Sequence, residues 1–192
     1  MICIMENYEL VLLLDPKTKD SDRKNLTNDL EKILEDGVVS KDEIWLMDLL
    51  YELSGVKTND KAYFYSYYLK LNTSKIDDIK KFFLYNNIVL KYDIFRRTKS
   101  QVSFEFEKLQ KDLNAIIASW EERKLWQKIY FFSDLKNSKY INWKSIPMLK
   151  KYITRFGNIK PRKYTNNWVN IQKKLRKEII RARNFWLIEF IK

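Results

Sequence analysis

The order of apolar segments in the first half of the chain restricts the fold more than any other feature of the sequence. Two segments have helical periodicity, and four are short runs of the kind that form strands. In chain order they are a strand at 8–14, a helix at 21–34, strands at 44–53 and 62–71 around a polar turn, a helix at 73–86 and a strand at 88–95. This order predicts an α+β, ferredoxin-like split βαβ domain with a four-stranded antiparallel sheet and both helices on one face.

Residues 103–129 form a segment of a different kind. Large apolar side chains recur there at steps of three or four residues among charged ones, at Leu109, Leu113, Ile116, Trp120 and Trp126. This spacing predicts an amphipathic helix. We expect it to link the two halves of the chain and to pack its apolar side on a protein surface. A free-standing, solvated helix is the weaker alternative, because such large side chains would be left in water.

The last third contains two further regions of helical periodicity. In the first, Ser145 and Pro147 predict the start of a helix and Gly157 its end. Residues 158–164, which include Pro161, are expected to be extended. In the second, Thr165 is the expected cap of a longer helix. The apolar stripe of that helix consists of Trp168, Ile171, Leu175, Ile179 and Ala182.

Positive charge is concentrated in the same third. Residues 130–192 contain 16 Lys and Arg against 3 Asp and Glu, whereas residues 1–99 contain 16 against 17. Such a concentration indicates a polyanionic partner. A solvated basic tail is the alternative that charge alone leaves open.

Composition also excludes or disfavours several function classes. The chain has no histidine and a single cysteine, Cys3, so histidine-dependent catalysis and an internal disulfide are excluded. No apolar run approaches the roughly 20 residues that span a bilayer, and the first residues lack a signal-peptide pattern, which predicts a soluble cytoplasmic protein. Glycine-rich phosphate loops and metal-ligand motifs are also lacking. We therefore expect no enzyme, no cofactor and no metal site.

The cations of the last third and its apolar stripe lie on different sides of the predicted helix. If the stripe packs on protein, the cations face outward, where each can meet a phosphate. An anionic membrane is a weaker alternative, because the stripe is needed to hold a short domain together. The residues expected to bind RNA are Lys150, Lys151, Arg155, Lys160, Arg162, Lys163, Lys173, Lys174, Arg176, Lys177, Arg181 and Arg183.

The apolar residues of the last third have two candidate roles. A domain this small cannot bury all of them alone, which predicts docking on the first half. The docking residues are expected to be Trp168, Ile171, Leu175, Ile179 and Phe185. Stacking on RNA bases is the alternative for the aromatic residues Trp143, Tyr152, Phe156 and Trp168, although their helical spacing favours the core.

The last third of the chain resembles a known family, bacterial small-subunit ribosomal protein eighteen. The resemblance rests on the order and spacing of Ile141-Asn142-Trp143-Lys144, Leu149-Lys150-Lys151-Tyr152-Ile153-Thr154, Gly157-Asn158-Ile159, Pro161-Arg162-Lys163-Tyr164-Thr165, Gln172-Lys173 and Ile180-Arg181-Ala182-Arg183. It covers residues 130–192. It implies binding to the central domain, or platform, of small-subunit ribosomal RNA. The resemblance also implies that five residues face the RNA, namely Arg162, Lys163, Lys173, Arg181 and Arg183.

The sequence departs from that family at three places. Asn166 stands where the family usually has glycine, and Glu189 stands where proline is common. Some relatives also carry zinc-binding cysteines near their start. Here the segment Tyr130-Phe131-Phe132-Ser133 has none, so no zinc site is predicted.

The first half resembles the partner of that family in the ribosome, small-subunit protein six. The matching residues are Tyr8-Glu9, Leu49-Leu50-Tyr51, Tyr63-Phe64 and Asn87-Ile88-Val89-Leu90-Lys91-Tyr92. Where that family often has a basic pair, this chain has Met47-Asp48. Together with the near-neutral charge, this departure predicts that the first half acts mainly as a protein scaffold.

We interpret the chain as a natural fusion of the two proteins, a structural constituent of the small subunit with ribosomal RNA and neighbouring platform proteins as partners. Its expected parts are a ferredoxin-like domain at 1–99, a linker helix at 100–129 and a basic helical domain at 130–192. Fusion makes docking intramolecular. One open alternative is a free RNA-binding regulator with a ferredoxin-like head, in which Tyr63, Tyr65 and Tyr67 form a stacking face. Another is a catalytic ferredoxin-like domain with unusual chemistry.

Overall fold

The computed structural model describes residues 5–50, 60–98, 102–122, 131–133 and 135–190. The chain divides into two compact units, one formed by Met1–Asp48 and Glu52–Ser103 and the other by Leu49–Tyr51 and Phe104–Lys192. The elements of the first unit are β1 (Met5–Leu14), α1 (Asp20–Leu34), β2 (Val38–Asp48), β3 (Lys61–Asn72), α2 (Thr73–Leu84) and β4 (Val89–Arg97). Those of the second unit are α3 (Phe106–Glu122), α4 (Ile146–Lys151), α5 (Arg162–Thr165) and α6 (Val169–Asn184).

The four strands form one sheet with the order β2-β3-β1-β4. Each neighbouring pair is antiparallel, and Leu10 of β1 lies between Tyr67 of β3 and Ile94 of β4. Two βαβ halves that interleave in this way make the ferredoxin-like fold. The predicted α+β class and the order of its elements are therefore confirmed.

The core of the first unit lies between one face of this sheet and the two helices. Alternate residues of a strand point to the same face. Accordingly, Leu10, Leu12 and Leu14 of β1 pack with Leu30 of α1 and Ile79 of α2, all of them buried. The opposite face presents Val11 and Leu13 of β1 beside Phe64 of β3, so that face is apolar as well. Both faces of the sheet therefore carry large hydrophobic residues, while the helices cover one.

Strand β2 begins earlier than predicted, at Val38 in place of residue 44. Its first half alternates apolar and charged residues weakly, so the sequence gives little sign of a strand there. The chain passes from α1 through a short 3-10 helix, Glu35–Gly37, directly into β2. A side chain at Gly37 would overlap Leu71 of β3, which explains the glycine at this position. The last three residues of the predicted strand, 51–53, lie outside the described residues.

The predicted amphipathic helix is present as α3, which is part of the second unit. Leu109 and Leu113 are fully buried and Ile116 is half-buried, as their spacing predicts. The helix starts at Phe106, three residues later than predicted. The side chain of Trp120 and residues 123–129 lie outside what the structure describes. The role of this helix as a linker, and the division of the chain at residues 99 and 129, stay predictions.

Three boundaries in the last third differ from prediction. Helix α4 ends at Lys151, because the chain then reverses: Ile153 pairs with Ile159, and Gly157 adopts a φ of 82° in the turn. Gly157 therefore makes that turn and does not end the helix. Residues 162–165 form the short helix α5 and are not extended. Finally, α6 begins at Val169 with Trp168 as its N-cap, so Thr165 does not cap it.

Candidate nucleic-acid interface

The candidate interface is organised by α6, a helix with separate apolar and basic sides. Ile171, Leu175, Ile179 and Ala182 follow one another at steps of four or three residues, and all are buried. Residues at these steps share a face of the helix. Just beyond its end, the ring of Phe185 packs against that of Trp143 with centroids 5.4 Å apart. Because these residues are buried, they define the side of α6 that packs on protein.

Seven of the twelve cations expected at an RNA surface are exposed. They lie on α4, in the turn after it, on α5 and on the outer side of α6, and they are Lys150, Arg155, Arg162, Lys163, Lys173, Arg176 and Lys177. No aspartate or glutamate occurs between residues 135 and 177. These cations are therefore not neutralised by carboxylates near them in the sequence. A phosphate backbone that meets several such groups releases its counterions, which favours binding.

Three further cations, Lys151, Lys160 and Lys174, are half-buried, and the amines of two of them donate hydrogen bonds inside the unit. The amine of Lys160 donates to the backbone carbonyl of Lys151, 2.7 Å away. The amine of Lys174 donates to the carbonyl of Ser138 at 3.0 Å. Burial of that amine lowers the pKa of Lys174, and the negative charge of Glu178 opposes the shift. Lys160 and Lys174 thus connect separate segments of the second unit in addition to carrying charge.

The remaining two cations, Arg181 and Arg183, are buried, whereas the sequence suggested that both face outward. Arg181 donates to the carboxylate of Glu178 at 2.7 Å. Arg183 donates to the backbone carbonyl of Glu189 at 2.9 Å and also to that of Gly157. Buried charges require such partners because their desolvation is costly. We correct the expectation accordingly: both arginines stabilise the C-terminal end of the second unit from inside.

The sequence reading missed a buried polar pair that supports this interface. Glu178, which is almost fully buried, accepts a hydrogen bond from the backbone N–H of Trp143 at 3.2 Å in addition to its bond with Arg181. Lys144 is also fully buried. Glu178 is the first acidic residue after Asp134, and an isolated carboxylate in a basic helix is the feature that would have identified it.

The residues expected to dock the second unit on the first divide into two groups. Ile171, Leu175, Ile179 and Phe185 are buried. Trp168 is 67% exposed, contrary to its expected place on the buried stripe, because it precedes the first turn of α6 and its backbone is extended. Docking itself stays a prediction.

Asn166, which stands where the family usually has glycine, adopts a backbone conformation that glycine favours. Asn166 has a φ of 51° and a ψ of 25°, in the left-handed region. Asparagine is one of the few residues besides glycine that adopts this region readily. The N–H of Asn166 donates to the carbonyl of Arg162 at 2.8 Å and closes α5. This departure therefore leaves the turn between α5 and α6 intact.

The described residues contain no group of three or more Cys, Asp or Glu side chains placed to hold a metal ion. Within the same part of the chain, no helix combines the length and the apolar character needed to cross a bilayer.

Comparison with known families gives two matches that together cover most of the chain. Residues 137–188 match the model of the family described as ribosomal protein S18, and residues 7–96 match that of ribosomal protein S6. Among individual relatives, the small ribosomal subunit protein bS18 of Clostridium acetobutylicum is 40% identical over 68 residues, which are 35% of this chain and 74% of that protein. The bS18 protein of Mycoplasma capricolum is 37% identical over 65 residues, 34% of this chain and 85% of the relative.

A solved structure is also similar. The crystal structure of 30S ribosomal protein S6 from Thermotoga maritima aligns with a TM-score of 0.44 at 16% identity, over 59% of this chain and 99% of that one.

Proposed function

Because the chain belongs to the ribosomal protein S18 family and matches the S6 family ahead of that part, we propose that it binds the central domain, or platform, of small-subunit ribosomal RNA as a fused two-protein unit. The matches themselves make it a small-subunit ribosomal protein. Both are families of structural proteins and not of enzymes. Its partners are then ribosomal RNA and the neighbouring proteins of the platform, and its place in a bacterium is the cytoplasmic ribosome.

One observation carries the RNA-binding part of the proposal. Seven exposed Lys and Arg side chains lie within residues 150–177, and that stretch contains no acidic residue. Arginine can place two parallel hydrogen bonds on one phosphate, and lysine contributes a mobile positive charge. RNA contact through these seven residues, supported by Lys151, Lys160 and Lys174, is thus favoured by charge, by exposure and by family membership. Arg181 and Arg183 support it indirectly, by holding the fold.

The second part of the proposal is that the two modules act as a fused unit, and fusion has a physical advantage. Two modules on one chain meet at a high effective concentration, so that their association does not depend on the concentration of either alone. We propose that the two modules dock through apolar side chains, as the sequence predicts. The second unit contributes Ile171, Leu175, Ile179 and Phe185.

Sedimentation tests the proposal. Tagged full-length chain, expressed in a bacterial host, should migrate with small ribosomal subunits through a sucrose gradient and crosslink to their RNA. A sample stripped of RNA by nuclease should lose this migration. Sedimentation only with messenger RNA or with other RNA would support the free regulator instead and would overturn the ribosomal assignment.

The structure disfavours the stacking face that the free-regulator alternative requires. Tyr67 is fully buried in the core between the sheet and the helices, and Tyr63 and Tyr65 pack against the same core. RNA-binding sheets of the ferredoxin-like type expose their aromatic residues to splayed bases. These three tyrosines instead face the helices of their own unit.

A further inference from the structure

Two aromatic side chains stand at the surface where α5 meets α6. Tyr164 is 56% exposed and Trp168 is 67% exposed. Burial of a large aromatic side chain stabilises a fold strongly, so such residues usually bury most of their area. Neither ring is among the buried residues on the apolar side of α6 or in the core around Trp143. Their exposure therefore calls for a role outside the fold of the second unit.

Buried polar side chains form hydrogen bonds that hold the turn carrying Tyr164 and Trp168 in place. Thr165 and Asn167, which alternate with the exposed residues, are almost fully buried. The hydroxyl of Thr165 and the side-chain amide of Asn167 both donate to the side-chain oxygen of Gln172, at 3.2 and 3.1 Å. The amide nitrogen of Gln172 in turn donates to the backbone carbonyl of Lys160 at 2.9 Å. The exposed rings thus stand on a fixed turn.

Trp168 occupies a position at which the helix would favour another residue. It is the N-cap of α6 and makes no capping hydrogen bond through its side chain. Serine, threonine, aspartate and asparagine are preferred there, because their oxygens accept from the free N–H groups of the first turn. An indole has a donor and no such acceptor. Helix stability therefore does not explain why a tryptophan stands at this position.

The charge around the two rings indicates what covers them. Arg162 and Lys163 are exposed, and the amine of Lys163 lies 4.9 Å from the centroid of the Tyr164 ring. No carboxylate occurs in the surrounding sequence, residues 135–177. A second copy of this chain would bring a similarly basic surface against this one, which repulsion opposes. Unpaired bases of RNA provide flat faces for the rings and phosphates for the cations.

We propose that Trp168 and Tyr164 form a stacking platform for unpaired RNA bases whose phosphates lie on Arg162 and Lys163. This inference rests on the proposed RNA-binding function and adds to it a class of target, single-stranded nucleotides. Stacking is tolerant of base identity, since every base has a π face. The platform therefore selects unpaired segments of RNA and not a particular sequence.

The test compares two short single-stranded RNAs with the same number of phosphates, an adenosine oligonucleotide and its abasic counterpart. Full-length Trp168→Ser should bind the adenosine RNA roughly 5- to 150-fold more weakly than the parent chain, the loss expected for one stacked base. It should bind the abasic RNA as the parent does, because the phosphate contacts remain. Trp168→Phe should retain most of the affinity. Serine is a favourable N-cap, so the fold of the variant should be preserved, which circular dichroism can verify.

A matched control comes from the first unit. Tyr85 is 87% exposed in a part of the chain without excess positive charge, and Tyr85→Ser should leave both affinities unchanged. Equal binding of the adenosine RNA by Trp168→Ser and the parent would overturn the platform while leaving the ribosomal proposal intact. So would a monomer–dimer equilibrium that Trp168→Ser abolishes, because a second copy would then be the occupant. Failure of the parent to bind any RNA would overturn both proposals.

Discussion

The buried amine of Lys144 donates a hydrogen bond to the backbone carbonyl of Phe104, 3.0 Å away. The carbonyl of Lys144 accepts a second bond, from the side chain of Gln110 at 2.7 Å. One lysine therefore ties the beginning of α3 to the segment that precedes α4, within the second unit. In the sequence it is simply one more basic residue of a basic region. Its burial shows that its role is to hold the fold.

Replacing this lysine should therefore destabilise the protein. Lys144→Met keeps most of the apolar stem and removes the donor, so the carbonyl of Phe104 loses this partner. We expect the free energy of unfolding to fall by about 1–3 kcal/mol. Urea denaturation followed by circular dichroism measures the change. Lys173→Met, at an exposed position of α6, is the matched control and should change stability by less than about 0.5 kcal/mol. Equal stability of the two variants would contradict the structural role of Lys144.

The packing of α3 gives a second prediction. Leu113 is fully buried in this helix, and Leu113→Ala should lower the free energy of unfolding by about 2–5 kcal/mol, through lost burial and a residual cavity. Leu84→Ala, at the 68% exposed end of α2, makes the same substitution and should have little effect. Amide hydrogen exchange across residues 106–122 should accelerate in the first variant and not in the second. Unchanged exchange in Leu113→Ala would show that the stripe of α3 is not packed.

The proposed fusion predicts that its two parts associate when they are separated. Residues 1–103 and 104–192, expressed as two chains, should copurify, because each carries apolar surface that we assign to docking. Titration calorimetry should show saturable binding with a negative heat-capacity change, the mark of apolar burial. Two folded chains that release no heat on mixing at several temperatures, and that migrate separately on gel filtration, would rule out the docking.

Sequence periodicity predicted the first unit well, for a physical reason that its core makes plain. In β1 every residue from Leu10 to Leu14 is buried, and in α1 the positions Leu26, Leu30 and Leu34 repeat at helical steps. Such patterns are local and require no knowledge of distant residues. The early start of β2 was missed because this strand is weakly alternating and owes its register to pairing with β3, which is a non-local contact.

The candidate interface was predictable in its charge and not in its geometry. The positions of the cations in the sequence predicted the basic surface. They also predicted that Arg181 and Arg183 face RNA in the same way as Arg162. The difference between them is made by Glu178 and by the carbonyl groups of Gly157 and Glu189, which only the folded chain brings together. Similarly, Trp168 was predicted to be buried because its spacing matches the apolar stripe, but the helix begins only at Val169.

Burial of a tyrosine in the second unit predicts a pH dependence. Burial raises the pKa of Tyr152 from 10.0 to about 12, opposed by a hydrogen bond that its hydroxyl accepts from the N–H of Phe132. The unfolded chain therefore ionises first. The stabilisation from the neutral phenol is complete below pH 10, falls between pH 10 and 12 and is lost above pH 12. Urea midpoints measured from neutral pH upward should decrease through this range, and less steeply for Tyr152→Phe. An identical pH profile for this variant would contradict the prediction.

The last prediction concerns the exposed cations of the proposed RNA surface. Arg162→Gln combined with Lys163→Gln removes two positive charges from α5 while keeping polar side chains, and both positions are exposed. Affinity for small-subunit ribosomal RNA should fall. The slope of log affinity against log salt concentration should shrink by roughly 0.7 to 0.9 for each lost phosphate contact. Filter binding at several salt concentrations gives both quantities, and the urea midpoint of this variant should match that of the parent.

The buried arginines supply the matched comparison, with the same number of charges removed from the same unit. Arg181→Gln leaves the almost fully buried carboxylate of Glu178 without its guanidinium partner, and Arg183→Gln removes the donor to Gly157 and Glu189. Breaking a buried ion pair from one side typically costs about 3–5 kcal/mol, so this double variant should unfold at much lower urea. Any folded fraction should retain the salt slope of the parent, because its exposed cations are intact. A reduced slope in the folded fraction of this variant, together with a parental slope in the exposed pair, would reverse our assignment of the RNA-facing residues.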